Sequence, residues 1–218
     1  MKVYQNLFDN IVSLDNLFSA WDSFRRNKSG KRDVEAFEWR LEENIFTLYR
    51  ELKNGTYRHG PYTGFYITDP KQRHIHKASV RDRILHHAIF SILNPIFEPT
   101  FISTSFSCRV GYGAHRGVDA VERMLRQVSR NGTCPCFALK CDIKKFFDSV
   151  DHKILLSVLE RRIKDPKVAE LFRSIVGSYN SLSLSRERER ERERDGDAKQ
   201  RYSYWEPYLP AFREYLHE

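Results

Sequence analysis

The feature that most restricts the fold of this 218-residue chain is a strict two-residue alternation that starts at residue 181. Ser and Leu alternate over residues 181–185, and Arg and Glu then alternate over residues 186–194. Neither pattern has the apolar spacing that a core requires, and a charge run of this kind is usually a solvated segment. A globular fold must therefore be built mainly from the residues that precede the alternation.

The alternation also suggests an origin at the nucleic-acid level. A repeated AGA-GAG tract encodes Arg-Glu, a repeated TCT-CTC tract encodes Ser-Leu, and the two tracts are complementary. We therefore interpret the residues from about 181 onward as a dinucleotide repeat, a frameshift or a cloning junction. Scattered synonymous codons in the nucleotide sequence would contradict this interpretation. Residues 202–218 are aromatic and compatible with a short helix.

The preceding part of the chain is basic and rich in apolar residues. The first 181 residues hold 29 Lys and Arg against 20 Asp and Glu, whereas the residues after them have a net charge of −1. A composition that is 40% hydrophobic and 13% aromatic excludes global disorder. A basic globular body favours a polyanionic partner through counterion release, although a basic domain without such a partner remains open on charge alone.

The sequence predicts a cytoplasmic protein without membrane association. No apolar stretch approaches the roughly 20 residues of a bilayer span, and no continuous apolar region precedes Asp9 as in a signal peptide. Four cysteines in a chain of this length do not form a disulfide framework. Cys134, Cys136 and Cys141 lack the paired spacing of a zinc site.

Residues 1–56 are predicted to be a helical segment. Apolar residues at 3-4 spacing predict a helix over residues 14–24, with Gly30 as the residue that follows its C-cap. The same spacing over residues 34–52 predicts a single longer helix that stops near Gly55. These apolar stripes indicate core packing rather than a cofactor site.

After residue 57 the pattern changes to a β-hairpin followed by further elements. A strand over residues 65–67, a turn over residues 69–72 and a returning strand over residues 73–77 form the predicted hairpin. The elements predicted after it are a helix over residues 80–93 that ends before Pro95, a helix over residues 118–128, a strand over residues 137–142, a helix with Asp151 as its N-cap, and a helix that opens at Pro166 and reaches about Tyr179.

The predicted strand over residues 137–142 delivers Asp142 to its end. A carboxylate beside a backbone carbonyl suits a hard, octahedral Mg²⁺ ion. Two such ions can activate a 3′-hydroxyl and stabilise a pyrophosphate leaving group. The alternative is an acid that simply ends a strand.

Five motifs in succession resemble the fingers and early palm of reverse transcriptases of the bacterial retroelement branch. Any one of them is weak, but together they cover residues 57–180 in family order. The resemblance is to the group II intron and diversity-generating types, and His86, His87 and the Arg-Val-Gly at 109–111 favour the diversity-generating type. The motifs are DPKQR at 69–73, RDRILHHA at 81–88, PIFEPTF at 95–101, SFSCRVGYGAH at 105–115 and CDIKKFFD at 141–148.

The resemblance implies an α+β fold of reverse-transcriptase fingers with a partial palm, mostly helical with a short β-hairpin and an incomplete palm sheet. Together with the patterns described above, it divides the chain into three segments: residues 1–56 helical, residues 57–180 fingers and partial palm, and residues 181–218 a low-complexity Ser-Leu/Arg-Glu tract with an unrelated tail. The implied activity is RNA-directed DNA synthesis with Mg²⁺ as cofactor. The implied partners are an RNA template, a DNA or RNA primer and a dNTP.

The resemblance also assigns roles to individual residues. Asp142 and the carbonyl of Ile143 would bind the catalytic metal ions, with Asp142 the catalytic acid. Phe147 would lie under the sugar of the incoming nucleotide, where its ring excludes a 2′-hydroxyl, although a core phenylalanine is the alternative. The cationic positions are Lys71 and Arg73 toward the triphosphate and Arg109 near the template strand.

The family's second catalytic motif, Tyr-x-Asp-Asp, has no counterpart, because the chain contains no Asp-Asp pair. One carboxylate cannot hold two Mg²⁺ ions in the geometry of phosphoryl transfer. We therefore expect a chain truncated before that motif and inactive alone as a polymerase. The alternatives are a non-enzymatic, maturase-like module that binds RNA, and a truncated product that barely folds.

Overall fold

The computed structural model describes residues 2–28, 30–68, 72–143 and 146–180. The predictions for the hairpin turn with Lys71, for the alternating tract and for the aromatic tail lie outside these residues. The division of the chain at residues 56 and 180 stays a prediction.

The described part of the chain is mostly helical, with one two-stranded antiparallel sheet, which confirms the predicted α+β class. No helix in this part is both long enough and apolar enough to cross a bilayer. The helices are α1 (Phe8–Ile11), α2 (Leu14–Arg25), α3 (Arg32–Glu38), α4 (Leu41–Lys53), α5 (Val80–Phe97), α6 (Ala114–Val128), α7 (Phe146–Ser149), α8 (His152–Arg162) and α9 (Pro166–Asn180), and the strands are β1 (Thr63–Thr68) and β2 (Gln72–Lys77).

The core forms around α5, which packs along α2 and also contacts α1, α3 and α4. Trp21 and Phe24 of α2 and Ile84 and Leu85 of α5 are almost completely buried. Burying one such side chain contributes about 1.5–3 kcal/mol. Apolar residues of α8 and α9 belong to the same cluster, so the core joins both ends of the described chain.

Two predicted helix ends have different outcomes. Gly30 was predicted to follow the C-cap of the helix that is now α2. This prediction was wrong, because α2 ends at Arg25 and Asn27 takes the left-handed conformation with φ 61°. A short polar side chain makes this conformation accessible to asparagine. The stop near Gly55 is confirmed: Gly55 has φ 68°, and the N–H of Thr56 donates to the carbonyl of Glu51 at 2.9 Å. This bond closes the last turn of α4 as in a Schellman motif.

The single helix predicted over residues 34–52 was wrong, because the chain breaks into α3 and α4. At the break Arg40 leaves the helical region with φ −125° and ψ 41°, and the Trp39 side chain is 89% exposed. The Asn44 side-chain amide donates to the carbonyl of Phe37 at 3.0 Å and satisfies the end of α3. Apolar spacing continues across the break, so periodicity alone could not reveal it.

The prediction that the helix after the hairpin ends before Pro95 was also wrong. The helix α5 continues through Pro95 to Phe97. A proline this close to a C-terminus removes one hydrogen bond, to the carbonyl of Ser91. Leu93 and Ile96 on either side of the proline are buried in the core, and their burial favours continuing the helix.

The predicted strand over residues 137–142 is not present, because residues 135–143 have no regular secondary structure. The side chains of Phe137 and Leu139 are 98% and 91% exposed. A strand needs a neighbour to satisfy its backbone groups, and the described residues offer this segment none. The incomplete palm sheet is therefore not formed in the described part of the chain.

The predicted starts of the last two helices are confirmed. The Asp151 carboxylate accepts hydrogen bonds from the N–H groups of Lys153 at 2.8 Å and Ile154 at 3.1 Å, as an N-cap should. Pro166 is the first residue of α9, where its missing N–H costs no intrahelical bond.

Candidate nucleic-acid interface

All six residues of β1 in the hairpin are exposed, whereas Ile75, His76 and Lys77 of β2 are half-buried. The two strands pair in register from Thr63 opposite Lys77 to Thr68 opposite Gln72. Arg73 therefore lies opposite Ile67, next to the turn. The side chain of Arg73 and the whole of Lys71 lie outside the description, so their role toward a triphosphate stays a prediction.

The base of the hairpin is held by Asp82, whose side chain is completely buried. Its carboxylate accepts hydrogen bonds from the Tyr57 hydroxyl at 2.8 Å, the Gly60 N–H at 3.0 Å and the Ser79 hydroxyl at 2.6 Å. Burial alone would raise the pKa of Asp82. The hydrogen bonds from Ser79 and Tyr57, together with the charges of nearby His59 and Arg81, hold that pKa below its ordinary value. Both ends of the hairpin are thereby fixed to the start of α5.

The cationic side chains at the hairpin base are used in ion pairs within the protein. Lys77 and Arg83 both contact Asp33, each at 2.7 Å, and Arg81 contacts Glu51 at 2.8 Å. The Arg83 side chain is 9% exposed. These three cations therefore stabilise the contact between the hairpin base and the N-terminal helices.

Arg109 stabilises the loop between α5 and α6, and its side chain is only 7% exposed. Its guanidinium donates to Glu98 at 2.8 Å and to the carbonyls of Ser105 at 2.9 Å and Ile102 at 3.1 Å. The same guanidinium lies 3.9 Å from the centre of the Tyr112 ring. Contact between Arg109 and a template stays a prediction; within the protein, the Arg109 guanidinium supports the Tyr112 ring.

Tyr112 lines a groove of about 730 Å³ between this loop and α6. Arg116 and Arg123 line the α6 side, while Phe106 lies on the loop side with its ring centre 6.2 Å from that of Tyr112. Asp119 contributes a carboxylate to the same groove. We call this surface the α6 groove. Guanidinium groups bind phosphate with a bidentate fork and aromatic rings stack on bases, so its chemistry suits a single nucleic-acid strand.

The helix α6 begins at Ala114, earlier than the predicted residue 118, because the loop ends at Gly113 with φ 141°. This earlier start brings Arg116 onto the helix. Sequence reasoning missed Arg116 and Arg123 as site residues. They are seven residues apart, which puts them two turns apart on the same helix face, and that spacing was the readable signal.

The residues expected at the metal site are only partly described. Asp142 is exposed on the irregular segment, Ile143 is 37% exposed, and Phe147 lies in α7 with its side chain outside the description. Among the described residues, no group of three or more His, Cys, Asp or Glu could hold a metal ion. The described residues therefore do not fit a two-ion magnesium site, and the roles of Asp142, Ile143 and Phe147 stay predictions.

The mostly helical body with a two-stranded hairpin has the α+β class that the sequence motifs imply. The chain is similar to group II intron proteins. It is 26% identical over 176 residues to group II intron-encoded protein LtrA of Lactococcus lactis subsp. cremoris, which covers 78% of this chain and 28% of LtrA. No family model matches the chain.

Two further relatives match a large part of the chain. Protein YkfC of Escherichia coli is 28% identical over 134 residues, covering 61% of this chain and 35% of YkfC. Nuclear intron maturase 2, mitochondrial, of Arabidopsis thaliana is 26% identical over 148 residues, covering 61% of this chain and 19% of the maturase. The resemblance is thus confirmed for the group II intron type, and the preference for the diversity-generating type gains no support.

The chain spans about a fifth to a third of the length of these relatives. Their complete activities, substrates and partners are therefore not transferred to it.

Proposed function

We propose that this chain binds RNA as a maturase-like module of the group II intron reverse-transcriptase class. The α6 groove carries the proposal, because it combines two arginines with two aromatic rings along one helix and its preceding loop. A single strand could place its phosphates on Arg116 and Arg123 and its bases on Tyr112 and Phe106. The excess of positive charge before residue 182 would attract the same partner.

The hydrogen bonds that hold Arg109 support this function, because they order the α6 groove before RNA binds. Its three hydrogen-bond acceptors hold the guanidinium in one position, and the guanidinium in turn supports the Tyr112 ring. A stacking surface that is already ordered loses less conformational entropy when a base binds. Asp119 would disfavour a phosphate at its own position, which leaves the two arginines as the phosphate sites.

A second candidate function is RNA-directed DNA synthesis by addition of dNTPs to a primer 3′-hydroxyl. The resemblance around Asp142 and Phe147 and the intron-protein relatives favour it. Mg²⁺ would supply activation of the 3′-hydroxyl and charge stabilisation, but the described residues provide too few carboxylates for two ions. We propose that this chain by itself does not extend a primer.

Fluorescence anisotropy of a labelled single-stranded RNA over a salt titration tests the first proposal. Changing Arg116 and Arg123 together to Gln should weaken binding about tenfold at low salt and reduce the slope of log K against log salt by about 1.5. The matched control changes Arg26 and Arg40 to Gln, which removes the same charge from exposed turns after α2 and α3. The control should retain nearly wild-type affinity.

Primer extension with Mg²⁺ on an RNA template is measured beside the titration. Salt-dependent RNA binding without extension supports the binding module. Absence of RNA binding by the unaltered chain, or equal losses in both double variants, would contradict the role of the α6 groove. Extension of the primer by this chain would overturn the proposal that it is inactive alone.

A further inference from the structure

The N-terminal segment pairs with the turn between α8 and α9. The N–H of Tyr4 donates to the carbonyl of Arg162 at 2.8 Å, and the N–H of Lys164 donates to the carbonyl of Tyr4 at 2.8 Å. Between them Ile163 is buried in the core, with 2% of its surface exposed. This short parallel bridge fixes residues 2–4 beside residues 162–164.

Cationic side chains gather around this bridge. Lys2, Lys164 and Lys167 are exposed and Arg162 is partly exposed, and none of the four forms a salt bridge with a carboxylate of the described residues. The Lys2 ammonium lies 5.2 Å from the centre of the Tyr4 ring, and the Lys167 ammonium lies 5.4 Å from that of Phe8. We call these four cations the N-terminal basic patch.

The acidic residue within the turn does not offset these charges at the surface. Asp165 is 6% exposed, and its carboxylate faces inward. It accepts hydrogen bonds from the backbone N–H groups of Leu7 at 2.8 Å, Phe8 at 3.0 Å, Lys167 at 3.1 Å and Val168 at 3.3 Å. The negative charge is thus used to hold α1 against α9, while the cations of the same turn face solvent.

Two further acids near the patch have cationic partners of their own. Asp9 contacts Lys53 at 2.6 Å, and Glu160 contacts Arg173 at 2.6 Å. The hydrogen bond and charge of Lys53, with a contribution from Lys167, lower the pKa of Asp9 below its ordinary value. The patch therefore keeps a net positive charge.

We propose that the N-terminal basic patch is a second RNA-binding surface, which contacts the phosphate backbone of double-stranded RNA. This proposal rests on the proposed RNA-binding function and adds a surface that shares no residue with the α6 groove. Lysines act on phosphates as point charges and release counterions without reading bases. Phe8 is buried and Tyr4 is half-buried, so these two rings offer little stacking surface to unpaired bases. Binding at the patch is therefore independent of base sequence.

The test uses the full chain, a labelled blunt-ended RNA duplex and a salt titration. Changing Lys2, Arg162, Lys164 and Lys167 to Gln should reduce the slope of log K against log salt by about 3 and the affinity at low salt at least tenfold. The matched control changes Arg26, Lys31, Arg40 and Arg50 to Gln, which removes equal charge from exposed positions of α4 and of the segments that connect α2, α3 and α4. A third variant, with Lys2, Lys164 and Lys167 changed to Arg, should bind like the unaltered chain. Thermal unfolding confirms that all variants fold.

The outcomes separate the two proposals. If the unaltered chain binds neither single-stranded nor duplex RNA, both proposals fail. If it binds duplex RNA and the patch variant equals the matched control, the patch is excluded while RNA binding stands. If the patch variant keeps duplex affinity but loses binding to phosphatidylserine vesicles, the surface belongs to a membrane and the inference is overturned. A selective loss of duplex binding that the arginine variant restores supports it.

Discussion

At the scale of single residues, Gly60 lies where one added carbon atom would meet the buried carboxylate that holds the hairpin base. A Cβ at this position would lie 2.9 Å from Oδ2 of Asp82, closer than real Cβ atoms approach. Moving that oxygen would weaken its bonds to Ser79 and to the Gly60 N–H. Gly60→Ala should therefore lower the free energy of unfolding by about 2 kcal/mol, measured by urea denaturation.

The matched control for this prediction is Gly177→Ala. Gly177 lies in α9, and its Cβ would meet no atom within 4 Å. Alanine inside a helix loses less backbone entropy than glycine, so this variant should gain about 0.5–1 kcal/mol. A result in which both substitutions change stability in the same direction would contradict the contact between residue 60 and Asp82.

At the scale of secondary-structure elements, Asp165 joins two helices that are distant in the sequence. One of its carboxylate oxygens accepts from the backbone at the start of α1, and the other caps α9. Asp165→Ala would leave several buried N–H groups without an acceptor, at about 1–3 kcal/mol each. We expect a loss of about 3 kcal/mol or more in the free energy of unfolding.

The matched control is Asp151→Ala, which removes an exposed N-cap from α8 alone. It should cost about 1 kcal/mol, because water can replace the lost acceptor. Both free energies of unfolding are measured by urea denaturation. Equal decreases for the two substitutions would mean that the hydrogen bonds from Asp165 to the start of α1 add no stability beyond that of a helix cap.

The sequence predicted most helices and the hairpin because those signals are local. Apolar spacing located α2, and the side chains of Asp151 and Pro166 located the starts of α8 and α9. Two of the failures depend on contacts between distant residues. Burial of Ile96 carries α5 past Pro95, and the segment over residues 137–142 has strand-like residues but no neighbouring strand in the described part of the chain.

The candidate site was less predictable than the fold. The motifs pointed to Arg109, but its acceptors are the Glu98 side chain and loop carbonyls whose positions only the folded loop defines. The N-terminal basic patch depends on a bridge between Tyr4 and Ile163, a pairing that no local pattern signals. Charge counting correctly located the excess of cations before residue 182 without saying where on the surface they gather.

At the scale of the whole molecule, stability should depend on pH through a buried histidine. His86 lies inside the helical body with its ring 5.4 Å from that of His59. Burial, with smaller contributions from His59, His87 and Arg83, lowers the pKa of His86 to about 3, while Asp82 opposes the shift. The unfolded chain, with an ordinary histidine pKa near 6.5, therefore binds this proton more readily than the folded protein.

Between about pH 6.5 and pH 3 the unfolded state gains a proton that the folded state excludes, so acid lowers stability. One such group changes the free energy of unfolding by about 1.4 kcal/mol per pH unit. The lowered pKa values of Asp82 and Asp33 act in the same direction, but below about pH 4, where unfolded carboxylates take up protons. The interval from pH 6.5 to pH 4 therefore isolates the histidine contribution.

Urea denaturation of the unaltered chain, His86→Leu and His115→Leu across that interval tests this prediction. The unaltered chain should lose stability steadily as pH falls, and His86→Leu should flatten the dependence because leucine carries no titrating group. His115 is exposed on α6, so its substitution should leave the slope unchanged. If the His86 and His115 variants keep the same slope as the unaltered chain, the acid sensitivity arises elsewhere. In that case burial of the His86 ring does not determine how the free energy of unfolding depends on pH.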